Sequence, residues 1–169
     1  RHFDQPWQRR TTGVLDVRHA HHDDASFERA VSAAASVLDL CCRRSELVRL
    51  VTTSGQDTGF ISSEQQLDVA MDLLAGIQPM GRGSLSGTLR TLAARRVGGT
   101  LVTCTGRLPD GERSTLMAVG TRFGTHVAVS TGDAGPHPTP ASAWSVVVPH
   151  AHDGDLAHLA AVRQAVDVP

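Results

Sequence analysis

Short runs rich in β-branched residues alternate with segments of helical period along almost the whole chain, and that alternation leaves few folds open. Residues 11–17 (TTGVLDV) read as a first strand, with Asp16 near its C-terminal end. A helix follows over 25–44, its apolar positions Phe27, Ala30, Val31, Ala34, Ala35 and Leu38 spaced at helical period, with Asp23 or Asp24 as cap. Leu47–Thr52 is a second strand and 58–61 a short third, joined through the turn signal Ser54-Gly55-Gln56-Asp57. Helices are predicted over 63–75 (capped by Ser62 or Ser63), 84–96 and 113–123. Strands are predicted at Thr100–Thr105, Thr125–Ser130 and 144–148, and a closing helix at 155–166. Gly132, Gly135, Pro136, Pro138 and Pro140 make 132–140 a loop. The prediction is an α/β domain with a doubly wound, mostly parallel six-stranded sheet, the short third strand antiparallel at one edge and the first strand central. Residues 1–10 read as a lead-in segment and 11–169 as one domain.

Composition narrows the functional classes. A chain of 169 residues suits one domain with a substantial core. Its net charge of −1 offers no general attraction to nucleic acid or to an anionic membrane surface. No apolar run approaches the roughly 18 residues of a membrane span. All 16 basic residues are arginine, Asn and Tyr are missing, and the only isoleucines are Ile61 and Ile77. That pattern reads as the coding bias of a high-GC genome, not as a binding signal. Cys41, Cys42 and Cys104 have neither an even count nor a CxxC spacing, so they read as reduced core residues of a cytosolic protein. The start at Arg1, without a signal-peptide pattern, reads as an excised domain.

Several segments taken in order carry a family resemblance: RHFDQPW, RRTTGVLDVR, FERAVSAAASVLDLCCRRSELVRLVTT, GRGSLSGTL and GGTLVTCTGRLPD. Together they resemble the C-terminal domain of the bacterial domain-of-unknown-function family fifty-eight, a variant of the von Willebrand factor type A fold. The resemblance covers nearly the whole chain and is strongest over residues 27–53. It implies a soluble domain of a protein anchored by two preceding membrane-spanning helices, on the cytoplasmic face of the membrane. It also implies a MoxR-type AAA+ ATPase as partner, in assembly or cell-envelope work.

The type A fold often holds Mg²⁺ through hard oxygen ligands at the C-terminal end of its sheet. The pattern is D-x-S-x-S after the first strand, a Thr from a later loop and an Asp after the fourth strand. Here the first segment reads Asp16-Val17-Arg18-His19-Ala20, so Arg18 and Ala20 stand at the serine positions. Gly83 or Ser84 stands where Thr is expected, and Thr105-Gly106 where Ser-Asp is expected. One clear ligand remains, and the expectation is a degenerate site without metal or other cofactor. The binding crevice is assigned to Asp16, Arg18, His19, Arg82, Ser84, Thr105 and Arg107, on loops 18–24, 81–86 and 106–112. In it the Arg18 guanidinium, or that of Arg82, takes the place of the cation; the alternative is that Arg18 points to solvent.

Other constellations are weaker. His19, His21, His22, Asp23 and Asp24 cluster after the first strand, and His/carboxylate clusters can bind transition metals. Asp16, His21, His22 and Asp24 are the candidate ligands, against a solvated loop that caps a helix. His150, His152 and Asp153 follow the sixth strand, away from the first cluster. Gly81-Arg82-Gly83-Ser84-Leu85-Ser86-Gly87 resembles a phosphate loop, but a P-loop needs a lysine and this chain has none. It also fails G-x-S-x-G, since Leu85 holds the nucleophile position. Two readings result: a non-catalytic protein-binding module, or a metal-dependent enzyme using the His/Asp cluster after the first strand.

Overall fold

A computed structural model describes residues 9–95, 98–132 and 144–147. The strands are β1 (Arg10–Leu15), β2 (Leu47–Thr52), β3 (Asp57–Ile61), β4 (Thr100–Thr105), β5 (Thr125–Ser130) and β6 (Trp144–Val147). The helices are α1 (Asp24–Arg43), α2 (Glu64–Ala75), α3 (Leu85–Ala94) and α4 (Asp110–Gly120), with a 3-10 turn over His19–His21. The sheet order is β3-β2-β1-β4-β5-β6. Only β3 runs antiparallel, against β2. This is the Rossmann-like α/β arrangement the alternation predicts.

Consecutive residues of a strand face opposite sides of a sheet, so each buried strand feeds two cores. Leu15, Val48, Leu50, Val102, Cys104, Val127 and Val129 pack against Phe27, Ala30, Ala34, Val37 and Leu38 of α1 and Ala70 and Leu74 of α2. Val14, Val51, Leu101 and Ala128 pack on the other side against Leu85, Leu89 and Leu92 of α3 and Leu116 and Val119 of α4. β1 is central, and Thr11, Thr12, Val14 and Leu15 are buried, as a parallel strand covered on both faces must be. The connection from β1 leads through α1 to β2 on one side, and β4 leads through α4 to β5 on the other. The strand order therefore reverses between β1 and β4, and the C-terminal ends of those two strands open the crevice where such sheets bind their ligands.

Several boundaries differ from the sequence reading. Arg10 belongs to β1, paired with Leu47, and not to a lead-in. β1 ends at Leu15, so Asp16 lies just past the strand. The histidine loop contains the 3-10 turn. Asp23 is the cap of α1 and Ser63 the cap of α2. α3 stops at Ala94, two residues short of 96. α4 starts at Asp110 instead of residue 113, after Pro109 at its N-cap, and ends at Gly120 instead of residue 123. Proline's fixed φ suits a helix start, and the acids Asp110 and Glu112 suit the positive end of the helix dipole. The proposed helix at 155–166, the loop beyond Gly132, the cluster at His150, His152 and Asp153, and residues 1–8 lie outside the described residues.

Candidate functional site

The crevice is built around a single carboxylate. The backbone N–H of Asp16 donates to Cys104 O at 2.8 Å, which carries the β1–β4 pairing one residue beyond the strand. This fixes the side chain between the ends of β1 and β4, where it is 0% exposed. Asp16 Oδ1 accepts hydrogen bonds from Arg18 Nε (2.8 Å), the Arg18 backbone N–H (3.1 Å) and Thr53 Oγ1 (3.1 Å). Oδ2 accepts from Arg18 Nη2 (2.8 Å) and Thr105 Oγ1 (2.9 Å). A buried carboxylate is costly unless paired and hydrogen-bonded, and here every lone-pair direction is met. Burial by itself would raise the Asp16 carboxyl. The hydrogen bonds and charge of Arg18, with the Thr105 hydroxyl, outweigh it and hold the group below the usual carboxylate range.

Arg18 spans two acids. Its Nε and Nη2 form the planar fork on Asp16, and its Nη1 and Nη2 reach Glu112 Oε1 and Oε2 at 2.6 and 2.7 Å. Its side chain is 11% exposed and that of Glu112 18%. Burial works against the guanidinium charge, but the two carboxylates more than offset it and raise Arg18 further above its ordinary value. The backbone is pinned as well. Met80 N–H donates to Val17 O and His19 N–H to Met80 O, so the chain at 79–80 runs beside 17–19 as a short parallel bridge. Thr53 Oγ1 accepts from Val17 N–H at 3.0 Å while donating to Asp16.

The histidine loop closes the other wall. His22 Nε2 lies 2.8 Å from the Asp16 backbone carbonyl. A carbonyl only accepts, so the proton sits on Nε2. The ring stacks edge-on against Phe27, 5.4 Å between centroids, and its Nδ1 is buried without a partner among the described residues. Burial outweighs the pull of the Asp16 charge and lowers the His22 pKa, which keeps the ring neutral. His21 Nδ1 meets Arg107 O at 3.1 Å, and Arg107 N–H donates to His21 O at 2.7 Å. Gly106 is clamped beneath this contact. A Cβ there would stand 2.0 Å from His21 O and 2.8 Å from His22 Nδ1.

The residues assigned to the crevice from sequence thus fall into three groups. Asp16, Arg18 and Thr105 meet directly. His19, Arg82 and Arg107 are exposed on the surrounding loops, and of the two candidate arginines it is Arg18 that pairs with Asp16. Ser84 is turned away from the carboxylate. Its hydroxyl caps α3 by accepting from Gly87 N–H, and its backbone N–H reaches Thr53 O. Sequence reasoning missed Thr53, which lies one residue beyond the strand it follows, and Glu112, hidden by a helix start placed three residues late. Gly83, at φ +134, brings the 81–83 loop so close that a Cβ would lie 2.6 Å from Thr53 O.

The donor set does not fit Mg²⁺. The carboxylate oxygens are taken by a guanidinium fork and two hydroxyl donors, and the fourth-strand position that would supply an Asp has no room for a side chain. Nor do the transition-metal candidates converge. Asp16 faces Arg18, His21 and His22 are turned to backbone carbonyls, and Asp24 is exposed in the first turn of α1. Among the described residues no group of three or more His, Cys, Asp or Glu side chains is placed to hold a metal, and no helix is long and apolar enough to cross a membrane. No protein-family model matches the chain, and no curated protein matches it.

Proposed function

We propose that this chain is a von Willebrand factor type A-like domain of the family-fifty-eight kind that binds a protein partner through the crevice at the ends of β1 and β4. In this reading a guanidinium replaces the metal and the domain carries no catalysis of its own. The observation that supports it is the Arg18 fork on buried Asp16, a fixed cation at the topological switch point of the sheet. Exposed His19, Arg82 and Arg107 surround that point and give it a rim suited to an acidic protein surface. The proposed setting is the cytoplasmic face of the membrane, in a membrane-anchored protein, with a MoxR-type AAA+ ATPase as partner in assembly or envelope work.

The test is a binding measurement between this domain and a purified MoxR-type ATPase from the same genome, with and without chelator. Binding is expected, unchanged by EDTA and weakened about tenfold or more when Arg82 and Arg107 are both changed to Ala, a loss of roughly 1.4 kcal/mol. Binding that disappears with chelator, or that ignores both arginines, would remove the crevice from the reading.

A further inference from the structure

The two acids that share Arg18 are held very differently. Asp16 is fully buried, and besides the Arg18 guanidinium it is gripped by two threonine hydroxyls and the backbone amide of Arg18. Among the described residues the carboxylate of Glu112 is bonded to Arg18 alone. It stands in the first turn of α4, a helix whose cap position, Pro109, gives no side-chain hydrogen bond and whose buried residues Leu116, Val119 and Gly120 all lie in its second half. Asp110 in the same turn has a side chain 97% exposed. A turn of Glu112 about its own side-chain bonds is enough to break both of its bonds, while the bonds of Arg18, Thr53 and Thr105 to Asp16 do not involve Glu112. The guanidinium would then present its Nη1 and Nη2 donors outward, still oriented by Asp16.

We propose that Glu112 is an internal stand-in for an acidic side chain of the partner, so that the crevice is closed by an exchangeable carboxylate latch and opens when a partner Asp or Glu takes over the Arg18 fork. This rests on the protein-binding reading of the crevice. The incoming carboxylate would make the same two charge-assisted bonds that Glu112 makes, with the partner segment lying across exposed Arg82 and Arg107. A latch of this kind lowers apparent affinity by the fraction of molecules in which it is open, so removing it must tighten binding.

The probe is a hexaglutamate peptide, titrated by calorimetry into the unaltered chain, Glu112→Gln, Glu112→Ala and Asp110→Asn. Asp110→Asn removes the same charge from the same turn without touching the latch. Circular dichroism establishes that each variant is folded, and the two Glu112 variants guard against the failure of either. The expected result is binding about tenfold tighter in the Glu112 variants and changed no more than about twofold in Asp110→Asn. Equal gains in Glu112→Gln and Asp110→Asn would reduce the effect to net charge and overturn the latch. No gain in either Glu112 variant would overturn it too. If the peptide result holds but neither the unaltered chain nor Glu112→Gln binds the ATPase, the partner assignment falls and the latch stands. If the ATPase binds and both Glu112 variants leave the peptide and the ATPase unaffected, the latch falls and the binding reading stands.

Discussion

At the scale of single residues, the crevice depends on how Arg18 compensates Asp16. Removing one member of a buried ion pair leaves the other charge without a partner and costs about 3–5 kcal/mol, so Arg18→Ala is expected to lower stability by that order in chemical denaturation. Arg18→Lys keeps the charge but presents a compact ammonium in place of a planar fork, which cannot satisfy Asp16 and Glu112 in the same way. It is expected to fall between Arg18→Ala and the unaltered chain. Stability unchanged in Arg18→Ala would mean that Thr53, Thr105 and the backbone N–H of residue 18 satisfy Asp16 without the guanidinium. Much of this was legible in the sequence, because Asp16 and Arg18 stand two apart at the end of an apolar strand, with the arginine at a position where the resemblance leads one to expect a serine. Glu112 was not, since its contact with Arg18 spans 94 residues of chain and no local periodicity encodes such a meeting. Yet the Pro109-Asp110-Gly111-Glu112 run held the usable signal, a proline and two acids at a helix start.

At the scale of elements, the loops decide what the strand ends can hold. The strands and helices were readable because β-branched runs and helical periods sit in separate windows, and the caps Asp23, Ser63 and Ser84 mark the starts of α1, α2 and α3. The loop contacts were not readable, because they are made by backbone atoms of any residue type: His21 O with Arg107 N–H, Met80 with Val17 and His19. The closure of the His19–His21 turn over Gly106 follows from them. It predicts that an acid placed at position 106 does not create a metal site. Gly106→Asp places a Cβ against His21 O and forces the turn to move, so a loss of roughly 2 kcal/mol or more is expected without Mg²⁺ affinity. A Gly106→Asp variant as stable as the parent, with Mg²⁺ binding in calorimetry, would refute the closed-wall description.

At the scale of the whole molecule, the sheet carries its charge economy into its pH response. His126, at the start of β5, packs so tightly on α4 that a Cβ at Gly120 would lie 2.6 Å from its Nδ1, and its Nε2 is buried without a partner among the described residues. Burial pushes its pKa down to about 4, and His22 shifts in the same direction. The unfolded chain takes up these protons near pH 6.5, so stability is full above that value and falls as the pH drops towards the folded pKa values. From pH 7 to pH 5 the parent is expected to lose about 2 kcal/mol more than His126→Gln; parallel losses would mean that His126 is solvated. Asp16, with its pKa lowered, adds stability that is present above about pH 4 and lost only in stronger acid. The central claim is that a guanidinium stands where a cation would otherwise sit, and the most direct measurement is a calorimetric titration of the unaltered chain with Mg²⁺ and Mn²⁺ at pH 7. No binding tighter than about 0.1 mM, or roughly 5.5 kcal/mol, is expected. Tighter binding that is abolished in Asp16→Ala would contradict it.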